Sequence, residues 1–264
     1  MAKSLNIGSK TPYRIALKGL DRYKTFGLRQ EWLREYFTKG DIFWEENSLG
    51  NRQVEALRAW LRDAGILEKG KLTPLGQFLR RLGAESPLTW EIIFAKLARG
   101  SRIVRWFLEE VSWGEKLSAS ELVTRLGEDI VERTRKNAVS ALLGLFEHTP
   151  LREIAPVERK RTRIIHKKGS DEISPYGLLF ALTQLAESSG RFHFEVEDLM
   201  ASRPETPYGL FGLSRQRLCA LLRATSSELP EIIKVDLVRD LESVYLKEGL
   251  DTAKLLSVLE QRVL

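Results

Sequence analysis

Apolar residues return every third or fourth position along most of this chain and alternate in twos only in short pieces. The first spacing lays one apolar stripe along a helix, and the second builds a half-buried strand. In "LRQEWLREYF", Leu28, Trp32, Leu33, Tyr36 and Phe37 predict a buried helical face. Val54, Leu57, Leu61 and Ala64 make the stripe of a second helix, with Asn51, Arg52, Glu55, Arg58 and Arg62 on its other side. Gly65 suits a helix stop, because an achiral residue adopts the left-handed conformation without strain. "ILEKGKLT" then reads as two short strands around Gly70. Thr73 caps a third helix whose first turn holds Pro74, where a missing N–H costs nothing. Helix, helix, hairpin, helix is the layout of a winged helix-turn-helix unit.

The layout recurs twice. In the second pass, Ser118 and Glu121 of "SASE" form a capping box that opens a short helix. "ERTRKNAVSALLGLF" follows, burying Val139, Leu142, Leu143 and Phe146 and showing Arg133, Lys136, Asn137, Ser140 and Gly144 on its other face. The small residues toward the centre of that face predict room for a bulky group to approach. "LREIAPVERKRTRIIHKKG" supplies strand-like pieces before a turn through "GSDE", and Ser174 and Pro175 start the next helix. A third pass runs from "EVEDLMAS" through "SRQRLCALLRAT" to a hairpin and a last helix capped by Asp251. Between the first two units, "PLTWEIIFAKLARGSRIVRWFLEEV" is apolar on too many sides for a surface helix and predicts an internal element broken at Gly100. The expected fold is mainly α: tandem winged-helix-like units at 1–86, 115–190 and 191–264, with short hairpins, joined by connecting helices at 87–114.

Composition sets limits on this picture. The 264 residues are 43% apolar and 30% charged, as in ordinary globular chains. No apolar run approaches the roughly 20 residues of a membrane span, and "MAKSLNIGSKTPYR" lacks the apolar core of a secretory signal. A lone cysteine, Cys219, allows no internal disulfide and fits a reducing cytoplasm. The net charge of +6 is unevenly spread: residues 192–264 hold 9 Lys/Arg against 12 Asp/Glu, so the excess lies in front. A basic front points to a polyanionic partner for that part of the chain.

Catalytic signals are sparse. His148, His166 and His193 show no ligand spacing with carboxylates or with Cys219, and "GLFGL" lacks the lysine and hydroxyl of a phosphate loop. Cys219 lies between Leu218 and Leu221 with no base near it in sequence, which predicts an inert, half-buried thiol. No cofactor, no metal and no enzymatic activity are expected. Nucleic-acid signals are stronger. "ERKRTRIIHKKG" gathers Arg159, Lys160, Arg161, Arg163, Lys167 and Lys168; in a hairpin the three arginines alternate onto one face, with both final lysines near the tip. Such a ribbon follows a phosphate backbone and binds by releasing counterions. Arg133, Lys136 and Asn137 start the preceding helix, where base edges are usually met. The competing reading is a solvated loop, with Arg133 and Lys136 paired to Glu128, Asp129 or Glu132. Arg52, Arg58 and Arg62 are the equivalent candidates in the first unit, diluted by Glu55, Asp63 and Glu68. The third hairpin is acidic (Asp236, Asp240, Glu242) and suits protein contact. Trp32, Trp44, Trp60, Trp90 and Trp106 recur with leucines at helical spacing and are assigned to the core.

A family resemblance accompanies these readings. Phe26, Leu28, Arg29, Trp32 and Leu33, then Gly50, Val54, Ala56, Trp60 and Leu61, then Leu72 to Gly76, resemble the amino-terminal signature of a bacterial and archaeal family of unknown function. "TPYGLFGLSRQRLCALLRA" resembles its closing region. The resemblance implies a companion of phosphoadenosine-phosphosulfate-reductase-like enzymes in DNA phosphorothioate modification and phage-defence clusters. It carries no catalytic residues, and the reductase-like partner's Ser-Gly-Gly-x-Asp-Ser loop is absent here. The expected function is binding of double-stranded DNA as a non-catalytic accessory subunit. The alternatives are a protein-binding scaffold for the reductase-like enzyme and a transcriptional regulator acting as a homodimer.

Overall fold

The computed structural model describes residues 19–237 and 242–264. The stretch "MAKSLNIGSKTPYR" and Asp240 lie outside them. A 3-10 turn at Leu20–Tyr23 leads into α1 (Gln30–Lys39) and, after a second such turn at Gly40–Trp44, α2 (Asn51–Asp63). Strands β1 (Leu67–Glu68) and β2 (Lys71–Leu72) form a hairpin before α3 (Pro74–Leu82). Two apolar helices follow, α4 (Pro87–Gly100) and α5 (Arg102–Glu110). The middle of the chain holds β3 (Lys116–Ser118), α6 (Ala119–Arg125), α7 (Glu132–Glu147), β4 (Val157–Arg159), β5 (Arg163–His166) and α8 (Pro175–Ser189). The last part holds β6 (His193–Glu195), α9 (Val196–Leu199), α10 (Pro207–Phe211), α11 (Arg215–Glu228), β7 (Ile233–Asp236), β8 (Ser243–Leu246) and α12 (Thr252–Val263).

Local chemistry sets many of these boundaries. The side chains of Thr73, Ser174, Ser214 and Asp251 each accept a hydrogen bond from a first-turn N–H of their helices, offsetting orphan donors. The capping box is present at α6, where Ser118 N–H donates to Glu121 at 2.7 Å and Glu121 N–H donates to Ser118 Oγ at 3.3 Å. The long apolar segment breaks at Ser101, and α4 is buried on most sides, packing against α2, α5 and α8. The capping group of α8 is shared: Glu91 of α4, buried, takes hydrogen bonds from the Ser174 N–H at 3.0 Å and from its hydroxyl. Burial pushes the Glu91 carboxyl above the usual range.

The expected fold class needs correction. Among the described residues 58% are helical, but they also form three sheets, so the molecule is mixed α/β. Only β1–β2 is a plain two-stranded hairpin; the other sheets have strand orders β3-β5-β4 and β6-β8-β7. Their extra strands, β3 and β6, come from chain that precedes the helices of each region, and both pair antiparallel. Three residues carry too little alternation to announce a strand; what holds β3 in place is its pairing of Leu117 with Ile165. One apolar core runs through all three regions, and α12 returns to pack on α8 and α3.

Candidate nucleic-acid interface

Helix α7 buries Ala138, Val139 and the run Ala141–Phe146. Its opposite stripe carries Arg133, Asn137, Ser140, Gly144 and Glu147, residues three or four apart that share a helical face. The β4–β5 hairpin is fastened across this stripe. Arg163 donates to Ser140 Oγ at 3.0 Å, and Arg159, its cross-strand partner, donates to Glu147. The turn is Lys160–Thr162, closed by Lys160 N–H donating to Thr162 O at 3.1 Å. Lys160 and Arg161 are exposed there, and so are Arg133 and Lys136 at the open end of α7. Both anchors lie on the stripe that begins at Arg133, about two helical turns before Ser140.

Several sequence expectations change here. The turn falls inside the basic run, because Val157 pairs with Ile165 and seats the apolar ends of the hairpin against the core. Lys167 and Lys168 therefore lie beyond β5, away from the tip. Lys167 is buried: its Nζ donates to the carbonyls of Leu108 at 2.7 Å and Val111 at 2.6 Å, and lies 4.4 Å from the centroid of Trp113. It closes the carboxyl end of α5, where a cation complements orphan carbonyls, and burial pulls its pKa down to about 8. Lys167 cannot touch a duplex. Lys168 is exposed beside Glu153, Asp171 and Glu172 in a different cleft.

Gly144 admits no outside group either. The backbone of Gly27 fills the space; a Cβ on Gly27 would lie 2.1 Å from Leu145 N and 2.2 Å from Gly144 C. Most cations of this face also have carboxylate neighbours. Lys136 meets Glu132 at 2.6 Å, as the competing reading expected, and Lys160 meets Glu158 at 2.9 Å. Arg161 and Arg133 make no ion pair among the described residues. Glu147 is held below the usual carboxylate range by the hydrogen bond from Arg159.

The α2 face is arranged differently. Arg52, Arg58 and Arg62 are exposed, with no ion pair among the described residues. Two acids expected to dilute them are engaged elsewhere. Lys24 meets Glu55 at 3.0 Å, and Arg22 meets Asp63 at 3.0 Å. Asp63 also accepts from the Tyr23 hydroxyl, which lies 2.8 Å from Ser101 Oγ. Trp44, assigned to the core from sequence, is half-buried, and the Arg58 guanidinium carbon sits 4.5 Å from the centroid of its ring. A cleft of 330 Å³ opens here, lined among the described residues by Trp44, Arg58, Arg62, Leu67, Lys69 and Gly70. Trp44 and Lys69 escaped the sequence reading. A lysine at the first position of a two-residue hairpin turn was the signal available for the second.

The remaining chemistry-bearing groups are dispersed. His193 stacks on Tyr245 with centroids 4.5 Å apart, His166 lies on β5, and His148 stands beside Glu147. Cys219 is buried, and burial raises its thiol pKa. Among the described residues no three His, Cys, Asp or Glu side chains gather as a metal site would require, and no helix is long and apolar enough to cross a membrane.

No family model matches the chain, and no curated protein is similar to it. Among solved structures it is similar to the crystal structure of magnesium ion-bound SspB, at 14% identity and a TM-score of 0.70. A second SspB crystal structure is similar at 14% identity and a TM-score of 0.69. Both likenesses cover 92% of this chain and 87% of the other. At that identity the likeness is one of fold.

Proposed function

We propose that this protein binds double-stranded DNA as an accessory subunit of a DNA-modification system of the phosphorothioation type, or of a related phage-defence system. One observation supports the DNA reading: Arg163 and Arg159 tie the hairpin across the stripe of α7 that begins at Arg133, and Lys160, Arg161 and Arg133 are all exposed. Arg133, Lys136 and Asn137 then meet base edges, Lys160 and Arg161 meet phosphates, and Arg52, Arg58 and Arg62 extend the basic surface toward the amino-terminal region. The exposed Lys136–Glu132 and Lys160–Glu158 pairs are worth little to the fold and exchange readily for phosphate. The system assignment draws on the motif resemblance at Phe26–Leu33, Gly50–Leu61 and Leu72–Gly76. The fold shared with SspB over most of the chain is compatible with a resemblance whose motifs lie in both its amino-terminal and its closing regions.

The test is an electrophoretic shift on duplex DNA across a salt series. The expected log–log slope is about −0.9 per phosphate neutralised, and the Arg133→Glu/Arg161→Glu double variant flattens it by about two contacts. A wild-type protein that shifts no duplex, or one whose affinity ignores salt, ends this reading. A second reading, docking of a reductase-like enzyme subunit, is favoured by Val131, an aliphatic residue 73% exposed beside Arg133. It predicts a complex in pull-down that survives the double variant and is lost on Val131→Glu.

A further inference from the structure

The cleft between α2 and the β1–β2 turn combines features that duplex contact does not require. Its floor is apolar, from Trp44 and Leu67, and its rim is cationic, from Arg58, Arg62 and Lys69. Arg58 and Arg62 stand one helical turn apart on α2. The Trp44 ring holds the Arg58 guanidinium in place, so much of the ordering cost of binding is met before any ligand arrives. A guanidinium lying over a ring keeps its N–H edge open for bidentate contact with phosphate. The volume, 330 Å³, is at the small end of the range for small-molecule sites.

The turn adds an independent observation. Glu68 pairs with Lys71, so Lys69 and Gly70 alone make the loop, with φ of +49° and +81°. Two successive positive φ values define a turn in which Asn and Gly are favoured at the first position. Lys69 holds the left-handed conformation at a cost of about 1 kcal/mol relative to glycine. Strain of this kind persists where the side chain serves a purpose, and this side chain lines the cleft.

We infer that this cleft binds a nucleoside 5′-phosphate, either free or at the phosphorylated end of a single strand. The planar base lies against the Trp44–Arg58 stack and Leu67, while the N–H edges of Arg58 and Arg62, with Lys69, hold the phosphate. The shared chemistry is a flat aromatic group carrying a phosphate dianion. The site goes beyond duplex binding and does not depend on it.

The experiment is equilibrium titration of the full chain with adenosine 5′-monophosphate and with a 5′-phosphorylated single-stranded trinucleotide. Adenosine and inorganic phosphate serve as half-ligands. Either of the first two probes binding more tightly than both half-ligands supports the site, and the tighter of them identifies the natural source. Arg58→Ala is expected to weaken binding roughly ten- to hundred-fold, the effect of losing a charged hydrogen bond. Lys69→Gly weakens binding while raising the melting temperature, because it removes the left-handed penalty; a folding defect cannot produce that combination. The Arg133→Glu/Arg161→Glu variant binds the mononucleotide as wild type does, which keeps this site distinct from the α7 part of the duplex surface. The inference is overturned if neither probe binds, if inorganic phosphate binds as tightly as the nucleotide, or if Lys69→Gly and Arg58→Ala leave binding unchanged.

Discussion

The basic faces on α7 and on α2 reverse the ranking that their sequences suggest. "ERKRTRIIHKKG" is the densest cationic run in the chain, yet its members are mostly committed within the protein. Arg159 is held by Glu147, Lys160 by Glu158, Arg163 by Ser140, and Lys167 is buried on backbone carbonyls. The α2 face has fewer cations and more acids in sequence. There the acids are the committed groups, because Arg22 and Lys24 reach back from the amino-terminal turn to Asp63 and Glu55. The charge of a window is thus a poor measure of the charge of a surface. What matters is which acid each cation meets after the chain has folded, and several of those partners come from distant segments.

Substitutions can break this contrast or sharpen it. Gly27→Ala should have the largest effect, because its Cβ would strike the backbone of α7 and loosen the segment that carries Arg22 and Lys24. A loss of about 3 kcal/mol of unfolding free energy is expected in urea titration, together with weaker nucleotide binding at the α2 cleft. Arg22→Ala leaves Asp63, whose side chain is 7% exposed, with only Tyr23. It should cost about 2 kcal/mol and should weaken anion binding at α2 without touching α7.

Lys167→Met tests the buried cation. It leaves the Leu108 and Val111 carbonyls unpartnered and should cost about 1–2 kcal/mol at pH 7, with duplex affinity unchanged. Its pH dependence has a definite sign. The folded pKa of about 8 lies below the unfolded value, so the unfolded chain binds more protons above pH 8. Wild type should therefore gain stability relative to Lys167→Met as pH rises from 8 toward 10, read from paired melting curves.

Glu147→Gln frees Arg159, and should cost about 1 kcal/mol of stability while raising duplex affinity at low salt. Because the folded Glu147 carboxyl is held below its ordinary value, the stability it contributes is present at neutral pH and fades as pH falls through that depressed value. The gap between wild type and Glu147→Gln should close in acid. Lys136→Ala is the smallest: its pair with Glu132 is exposed on both sides, and no measurable change in the melting curve is expected.

Much of the helical framework was legible from local chemistry. Thr73, Ser118, Ser174 and Asp251 announce helix starts because a capping side chain acts within three residues of itself. Gly100 is the last residue of α4, and the break between α4 and α5 falls one residue later, at Ser101. The strands β3 and β6 were not legible, since a three-residue strand exists only through its partner. The position of the β4–β5 turn depended on the Val157–Ile165 pairing, also non-local. Gly144 was read as space for a ligand, whereas Gly27, more than a hundred residues earlier, takes it. Of the candidate site residues, exposure was legible for Arg52, Arg58, Arg62, Arg133 and Arg161. The burial of Lys167 and the half-burial of Trp44 required the tertiary contacts.

The return of α12 onto α3, with Glu260 meeting Arg81, carries a consequence for biosynthesis. When α3 emerges from the ribosome, the helix that will cover one of its sides has not yet been made. That apolar flank must wait, exposed or shielded by a chaperone, until residues 252–263 arrive. Closure of so long a loop is entropically slow, so docking of the final helix is expected to be a late step in maturation.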